Sequence, residues 1–310
     1  MVLQNYQKIS EAIKNRYIRE KRNDPERFLR HIDFSWSVWM FGKEPLEQSL
    51  NRLKKYGIQY VELKGEDTPD SARFRKALSD TGIKLSGICG LFSSERDLAG
   101  IIESDRHRAT TYIQKQTETV HDLGGSYLIV VPGAVGRPQV YDSEETQRSA
   151  ATLRTCAECF SKYGVAAAIE PIRSAEVSIV HTVREALAYL DFVDDPSVSH
   201  INGDIFHMLN GERHIGNAIL LAGERLVNLH LADSNRDAPG KGMIDIDTVL
   251  MASYLVGMNQ PGRFLTFEPL GPYPDPYVLS TSLCNVKQMD RLVEYSVRML
   301  KEREEIVRQL

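Results

Sequence analysis

Four side chains able to bind a metal or carry a proton stand at the ends of short apolar runs in the second half of the chain. Glu170 closes VAAAIE, Asp204 closes VSHINGD, and Glu268 closes RFLTFE. His230 lies within LVNLHLAD, with Asp233 just beyond it. Burying an unpaired carboxylate is costly, so each of these acids needs a partner. Three bare anions cannot share one buried site, because repulsion and desolvation would protonate some or drive them apart. A divalent cation removes that conflict. Three oxygen donors and one imidazole nitrogen suit Mn²⁺, Mg²⁺ or Co²⁺, and the lack of thiolates argues against a structural zinc site. Each acid alone could simply be hydrogen-bonded to a loop. Four such residues on consecutive strands favour a shared metal.

Other residues carry two readings each. His207 follows Asp204 by three positions, as a helix cap or as a group facing a ligand. Arg236 sits in a polar loop with Asn235, Pro239, Gly240 and Gly242, either solvated or turned inward. Glu62, Lys64, Glu66 and His181 are rim or surface charges. Trp36 and Trp39 form a stacking wall for a ligand or pack in the core. Cys156 and Cys159 make a C-x-x-C inside a helical pattern, not at a helix start after a strand, so they read as packed helix cysteines.

Positioning the four strand-end residues on one rim requires a particular architecture. From residue 31 onward, short β-rich runs alternate with segments of helical period. The strands read as HIDFSW, IQYVELKG, IKLSGICG, SYLIVVPG, VAAAIEP, VSHINGD, LVNLHLAD and RFLTFEPL. The helices between them include SEETQRSAATLRTCAECFSKYG as one unit, TVREALAYLDFV capped by Thr182, and HIGNAILLAG. Eight strand–helix units in succession predict an α/β fold, a (β/α)₈ TIM barrel whose strand C-termini face the active site. An open doubly wound sheet would normally show a Gly-rich turn after its first strand, and SWSVWMFG has none. Residues 1–30 are polar, charged and helix-compatible, and read as an N-terminal helical arm outside the core. Residues 31–310 read as one barrel domain.

The composition agrees with that class. The chain has 310 residues, 42% of them hydrophobic and 26% charged, as expected for a soluble globular protein. A net charge of −4 argues against a nucleic-acid surface. No run is long enough for a membrane span, and the N-terminus lacks the apolar stretch of a signal peptide, so a cytoplasmic location is expected. Four cysteines do not make a disulfide framework. PGKG is no phosphate loop.

The set IEP, GDIFHM, LHLADSNRDAPGKG and FEPLG resembles the xylose-isomerase-like TIM barrels, in particular the D-tagatose/D-psicose 3-epimerases. The resemblance runs from about residue 31 to 300. It implies a metal held by Glu170, Asp204, His230 and Glu268, with Glu170 and Glu268 also moving a proton beside the substrate carbonyl. It further implies that Glu176, His207 and Arg236 contact the sugar. The chemistry is coherent. Removing a proton beside a ketone leaves charge on oxygen, which a Lewis acid and hydrogen-bond donors stabilise. A carboxylate on each side of the carbon permits removal from one face and return to the other.

Three segments depart from the epimerase pattern: the N-terminal arm, the long loop PGAVGRPQVYD, and the continuation EPIRSAEVSIVHT. They add Arg137, Arg173 and His181 as polar candidates. These segments are similar to the α subunit of bacterial C-deglycosylating enzymes, a second branch of the superfamily. That resemblance implies cleavage of 3-oxo-C-glycosides by elimination, in a hetero-oligomer with a small β subunit. It is the favoured expectation here, with ketose 3-epimerisation as the alternative. Either way the expected substrate is a keto-sugar or an oxidised glycoside.

Overall fold

The computed structural model describes residues 2–270 and 285–310. The eight strands are β1 (Asp33–Ser37), β2 (Tyr60–Lys64), β3 (Lys84–Cys89), β4 (Tyr127–Val130), β5 (Ala166–Ile169), β6 (His200–Asp204), β7 (Leu226–Leu231) and β8 (Phe264–Phe267). All are parallel, they pair in chain order, and β8 closes on β1 with Phe264 opposite Asp33. The helices are α1 (Val2–Asn23), α2 (Leu46–Lys55), α3 (Ser71–Thr81), α4 (Glu103–Asp122), α5 (Glu145–Arg154), α6 (Ala157–Tyr163), α7 (Val183–Val193), α8 (Ile205–Gly211), α9 (Ile215–Ala222), α10 (Ile246–Leu255) and α11 (Val286–Arg308). The TIM barrel expected from the alternation is the fold observed. No helix among the described residues is long and apolar enough to cross a membrane.

Period-2 alternation divides the apolar residues into two cores. The outer core lies between strands and helices and takes Phe34, Trp36, Val61, Leu63, Leu128, Val130, Leu229, Leu265 and Phe267. Trp36 is fully buried there, stacked between Phe41 and Phe267 with ring centroids 5.7 and 5.2 Å away. The inner core is a small apolar plug of Cys89, Tyr127, Ile129, Ala168, Val227 and Phe264. Gly87 makes room for it, because a Cβ there would lie 2.4 Å from the Tyr127 ring.

The rest of the interior is polar, whereas barrels of this type are usually filled with branched aliphatic side chains. Ser35 meets Ser86 at 2.7 Å, and Ser86 meets the Tyr127 hydroxyl at 3.3 Å. Tyr127 donates to Glu62 at 2.8 Å. Asn228 donates to Glu62 at 3.3 Å and to Asn202 at 2.8 Å, and Thr266 donates to Asn228 at 2.7 Å. Asn202 in turn donates to Glu170 at 2.9 Å. Register shifts place one extra residue in β3 and one in β7, which brings Ser86 and Asn228 into this layer.

Two expectations about elements need correction, and one further helix is present. The segment after the fourth strand forms two helices, α5 and α6, because Thr155 turns its hydroxyl onto the Thr152 carbonyl at 2.7 Å and the backbone bends at Cys156. GDIFHM contains a separate short helix, α8, whose N-terminus Asp204 caps through a bond from the Phe206 N–H at 2.7 Å. Helix α1 lies against α9 and α10, and its Ile13 and Tyr17 are buried in the outer core. Its polar composition hid these two anchors. Thr182 caps α7 as expected, accepting from Glu185 N–H at 3.2 Å.

Candidate active site

Glu170 follows β5, Asp204 ends β6, His230 lies in β7, and Glu268 follows β8. Each sits on an inward-facing position, so the four side chains converge at one end of the barrel. His230 Nδ1 lies 3.4 Å from Glu170 Oε1 and 3.4 Å from Glu268 Oε1. Asp204 uses one oxygen to cap α8 and turns the other, Oδ2, to Arg236 at 3.0 Å and His207 at 3.3 Å. Arg236 also reaches Glu268 Oε2 at 3.2 Å. Two sets of donor atoms are close enough to hold a cation: Glu170, Asp204 and His230, and Glu62, His230 and Glu268. Buried oxygens around an imidazole are a donor set that suits a divalent metal.

Glu170, Glu176, His207, Arg236 and Glu268 line a cavity of about 280 Å³ together with Trp39, Lys64 and Cys89. Leu91, Phe92, Val131, Val135 and Ile172 form its apolar wall. Asp204 and His230 are buried behind it. A larger depression of about 700 Å³ lies around Arg184, Arg213 and His214, but it gathers no such constellation. His207 Nδ1 is buried with no hydrogen-bond partner among the described residues, which leaves a polar atom to be satisfied by a ligand. Arg236 has φ +59°, a left-handed conformation that its backbone bonds maintain: its N–H donates to Asp233 O at 2.9 Å and its carbonyl accepts from Leu270 N–H at 2.7 Å. Asp233 shapes this loop by accepting from Ser234, Gly240 and Ile244 N–H groups.

The electrostatics separate the two acids that share Arg236. Burial alone would raise Asp204, but Arg236, His207 and His230 hold it down at about 2. Burial pushes Glu268 up to about 7, with Asp204 and Glu170 adding to the rise and His230 and Arg236 opposing it. Burial also lowers His207, against the pull of Asp204. His230 behaves oppositely: burial works against its charge, but Glu268, Glu62 and Glu170 carry its pKa well above the usual value.

Residues 50–277 match the xylose isomerase-like TIM barrel family. The chain belongs to this family. It is 26% identical over 255 residues to an L-ribulose 3-epimerase of Methylomonas sp. (strain DH-1), covering 80% of this chain and 87% of the relative. It is 24% identical over 250 residues to a 3-dehydro-D-guloside 4-epimerase of Escherichia coli (strain K12), covering 76% and 94%. A D-allulose 3-epimerase structure from Methylomonas sp. superimposes with TM-score 0.78 at 22% identity over 88% of this chain and 98% of that one. The structure of IOLI protein with a bound zinc atom superimposes with TM-score 0.66 at 18% identity over 89% and 98%.

This xylose isomerase-like barrel does not bring every candidate to the cavity. Trp36 is turned outward into the packing between strands and helices, because it alternates with the inward Ser35. Trp39 is the tryptophan at the cavity, and its Nε1 donates to Glu268 Oε1 at 2.8 Å. Arg137 ties its loop to Asp97 at 2.9 Å and to Glu145 at the start of α5 at 2.7 Å. Arg173 pairs with Glu176, and His181 bonds the Val177 carbonyl at 3.1 Å. Gly271 of the FEPLG motif lies outside the described residues. Glu62 is neither a rim nor a surface charge: it is fully buried beneath His230. The signal was present in VELK: the apolar Val61 and Leu63 flank Glu62 and take the outer face. The same period marks Asn202 and Asn228, each two residues before a proposed ligand.

Proposed function

We propose that this chain is a divalent-metal-dependent ketose epimerase that inverts a carbon beside a sugar carbonyl. One observation carries the reading: Glu170 and Glu268 approach the same imidazole nitrogen, His230 Nδ1, at 3.4 Å from two different strands, on the wall of a sugar-sized cavity. Glu170, Asp204, His230 and Glu268 would hold the cation, which supplies Lewis-acid stabilisation of charge on the substrate oxygens. One glutamate takes the proton from the carbon beside the carbonyl, and the other returns a proton to the opposite face. Which one acts first depends on the configuration of the incoming sugar. Arg236 and His207 donate hydrogen bonds to the oxygens on which charge develops. Trp39 holds the Glu268 carboxylate, Asn202 holds that of Glu170, and Glu176 binds a sugar hydroxyl. Named relatives that are 3-epimerases and a 4-epimerase support epimerisation over elimination.

The test is incubation of Mn²⁺-loaded protein with D-fructose, D-psicose or L-ribulose in heavy water. Deuterium enters at C3 as the epimer forms, and Glu170→Gln reduces that rate about 10²- to 10⁴-fold. Retention of full turnover by Glu170→Gln would overturn the mechanism. A second reading, elimination from a 3-oxo-C-glycoside with a small β subunit present, draws on the apolar wall of the cavity, which suits an aglycone. Failure to release aglycone from such a substrate rules it out.

A further inference from the structure

We propose that Glu62 is a positioning residue that determines which nitrogen of His230 faces the metal. The inference rests on the metal reading given above. His230 Nε2 lies 3.1 Å from both Glu62 oxygens, while Nδ1 faces Glu170 and Glu268. A neutral imidazole carries one proton, and a carboxylate can only accept. With a metal on the other nitrogen, Glu62 would therefore keep the single remaining proton on Nε2 and leave the Nδ1 lone pair for the cation, on the side of the two cavity-lining glutamates. The hydrogen-bond partner of a ligating histidine sets its tautomer and basicity in this way.

Glu62 cannot drift from this task. It is fully buried, and Tyr127 and Asn228 donate to its Oε2 at 2.8 and 3.3 Å. Those donors, with His230, engage its oxygens, so the competing donor set of Glu62, His230 and Glu268 has less to offer a cation than its proximity implies. Glu62 is also absent from the cavity lining, whereas Glu170 and Glu268 are on it. The metal belongs on the Nδ1 side, and Glu62 acts through the imidazole.

The experiment uses full-length protein with ¹⁵N-labelled histidine, loaded with diamagnetic Zn²⁺, alongside calorimetric titration with Zn²⁺ and Mn²⁺. In the unsubstituted protein Zn²⁺ should shift His230 Nδ1 while Nε2 keeps its proton. Glu62→Gln preserves side-chain size and should weaken both metals about 10- to 100-fold, with the circular dichroism of the metal-free chain unchanged. Zn²⁺ on Nε2, or unaltered affinity in Glu62→Gln, overturns the proposal while leaving the metal site standing. A folded protein that binds neither metal overturns both. If Glu62→Gln does not fold, the nitrogen assignment in the unsubstituted protein decides the matter alone.

Discussion

At the residue scale, the site stores its chemistry in opposed protonation tendencies. Glu268 is pushed up to about 7 by burial and the neighbouring Asp204 and Glu170, in spite of His230 and Arg236. Its folded pKa exceeds its unfolded one, so the stability it contributes is fully present below about 4.5 and lost as the pH rises through about 7. His230 shifts in the same direction, because Glu268, Glu62 and Glu170 overcome its burial, and its contribution is likewise lost as the pH rises through its raised value. The metal-free protein should therefore melt at progressively lower temperature from about pH 5 to about pH 8. A divalent ion held by the proposed ligands would replace a proton on His230 and neutralise the acids. At 100 times its dissociation constant it adds about 2.7 kcal/mol. The melting-temperature gap between metal-loaded and chelator-treated protein should thus widen with pH. A gap that narrows contradicts this account.

At the scale of elements, the two tryptophans near the first strand have separate tasks. Trp36→Ala empties a space between Phe41 and Phe267 and should cost about 3–5 kcal/mol in denaturant unfolding, with little effect on KM of the folded fraction. Trp39→Phe keeps the ring but removes the donor to Glu268, and should lower kcat with nearly unchanged stability. Equal effects of both on unfolding would contradict the assignment. These residues also show what could be read beforehand. The strand ends at Glu170, Asp204 and Glu268 were legible because a carboxylate closing an apolar run has few explanations. Trp36 was not, since an aromatic side chain suits either face, and only the inward Ser35 decides it. The break between α5 and α6 depends on a Thr155 hydroxyl bond that helical periodicity does not record. Burial raises the Cys156 thiol to about 12 and also raises Cys159, which fits their reading as packed helix residues.

At the scale of the whole molecule, the eightfold alternation was the strongest signal, and it yielded the closed barrel. The packing of α1 was weaker in the sequence, because Ile13 and Tyr17, with the half-buried Ile9 and Ile18 beside them, carry it within a helix that is polar on average. Tyr17 meets Phe28 edge to face at 5.4 Å, and Arg308 of α11 bonds the Phe28 carbonyl at 2.9 Å. The segment leading into β1 is thereby held between the first helix and α11.

The polar layer inside the barrel bears on how the chain folds. Its hydrogen bonds run from Ser35 of β1 through Ser86, Tyr127, Glu62, Asn228 and Asn202 to Glu170 beyond β5, with Thr266 of β8 joined at Asn228. Every strand supplies a member or leads directly into one. A half-built barrel would therefore leave buried donors and acceptors without partners, at about 1–3 kcal/mol each. An aliphatic interior would impose no such penalty on partial assembly. Chemical denaturation of the metal-free chain should accordingly give coincident transitions in far-ultraviolet dichroism and in tryptophan fluorescence. A populated half-barrel would separate them. The groups that place the proposed metal ligands would then also make the eight strands form or dissolve as one cooperative unit.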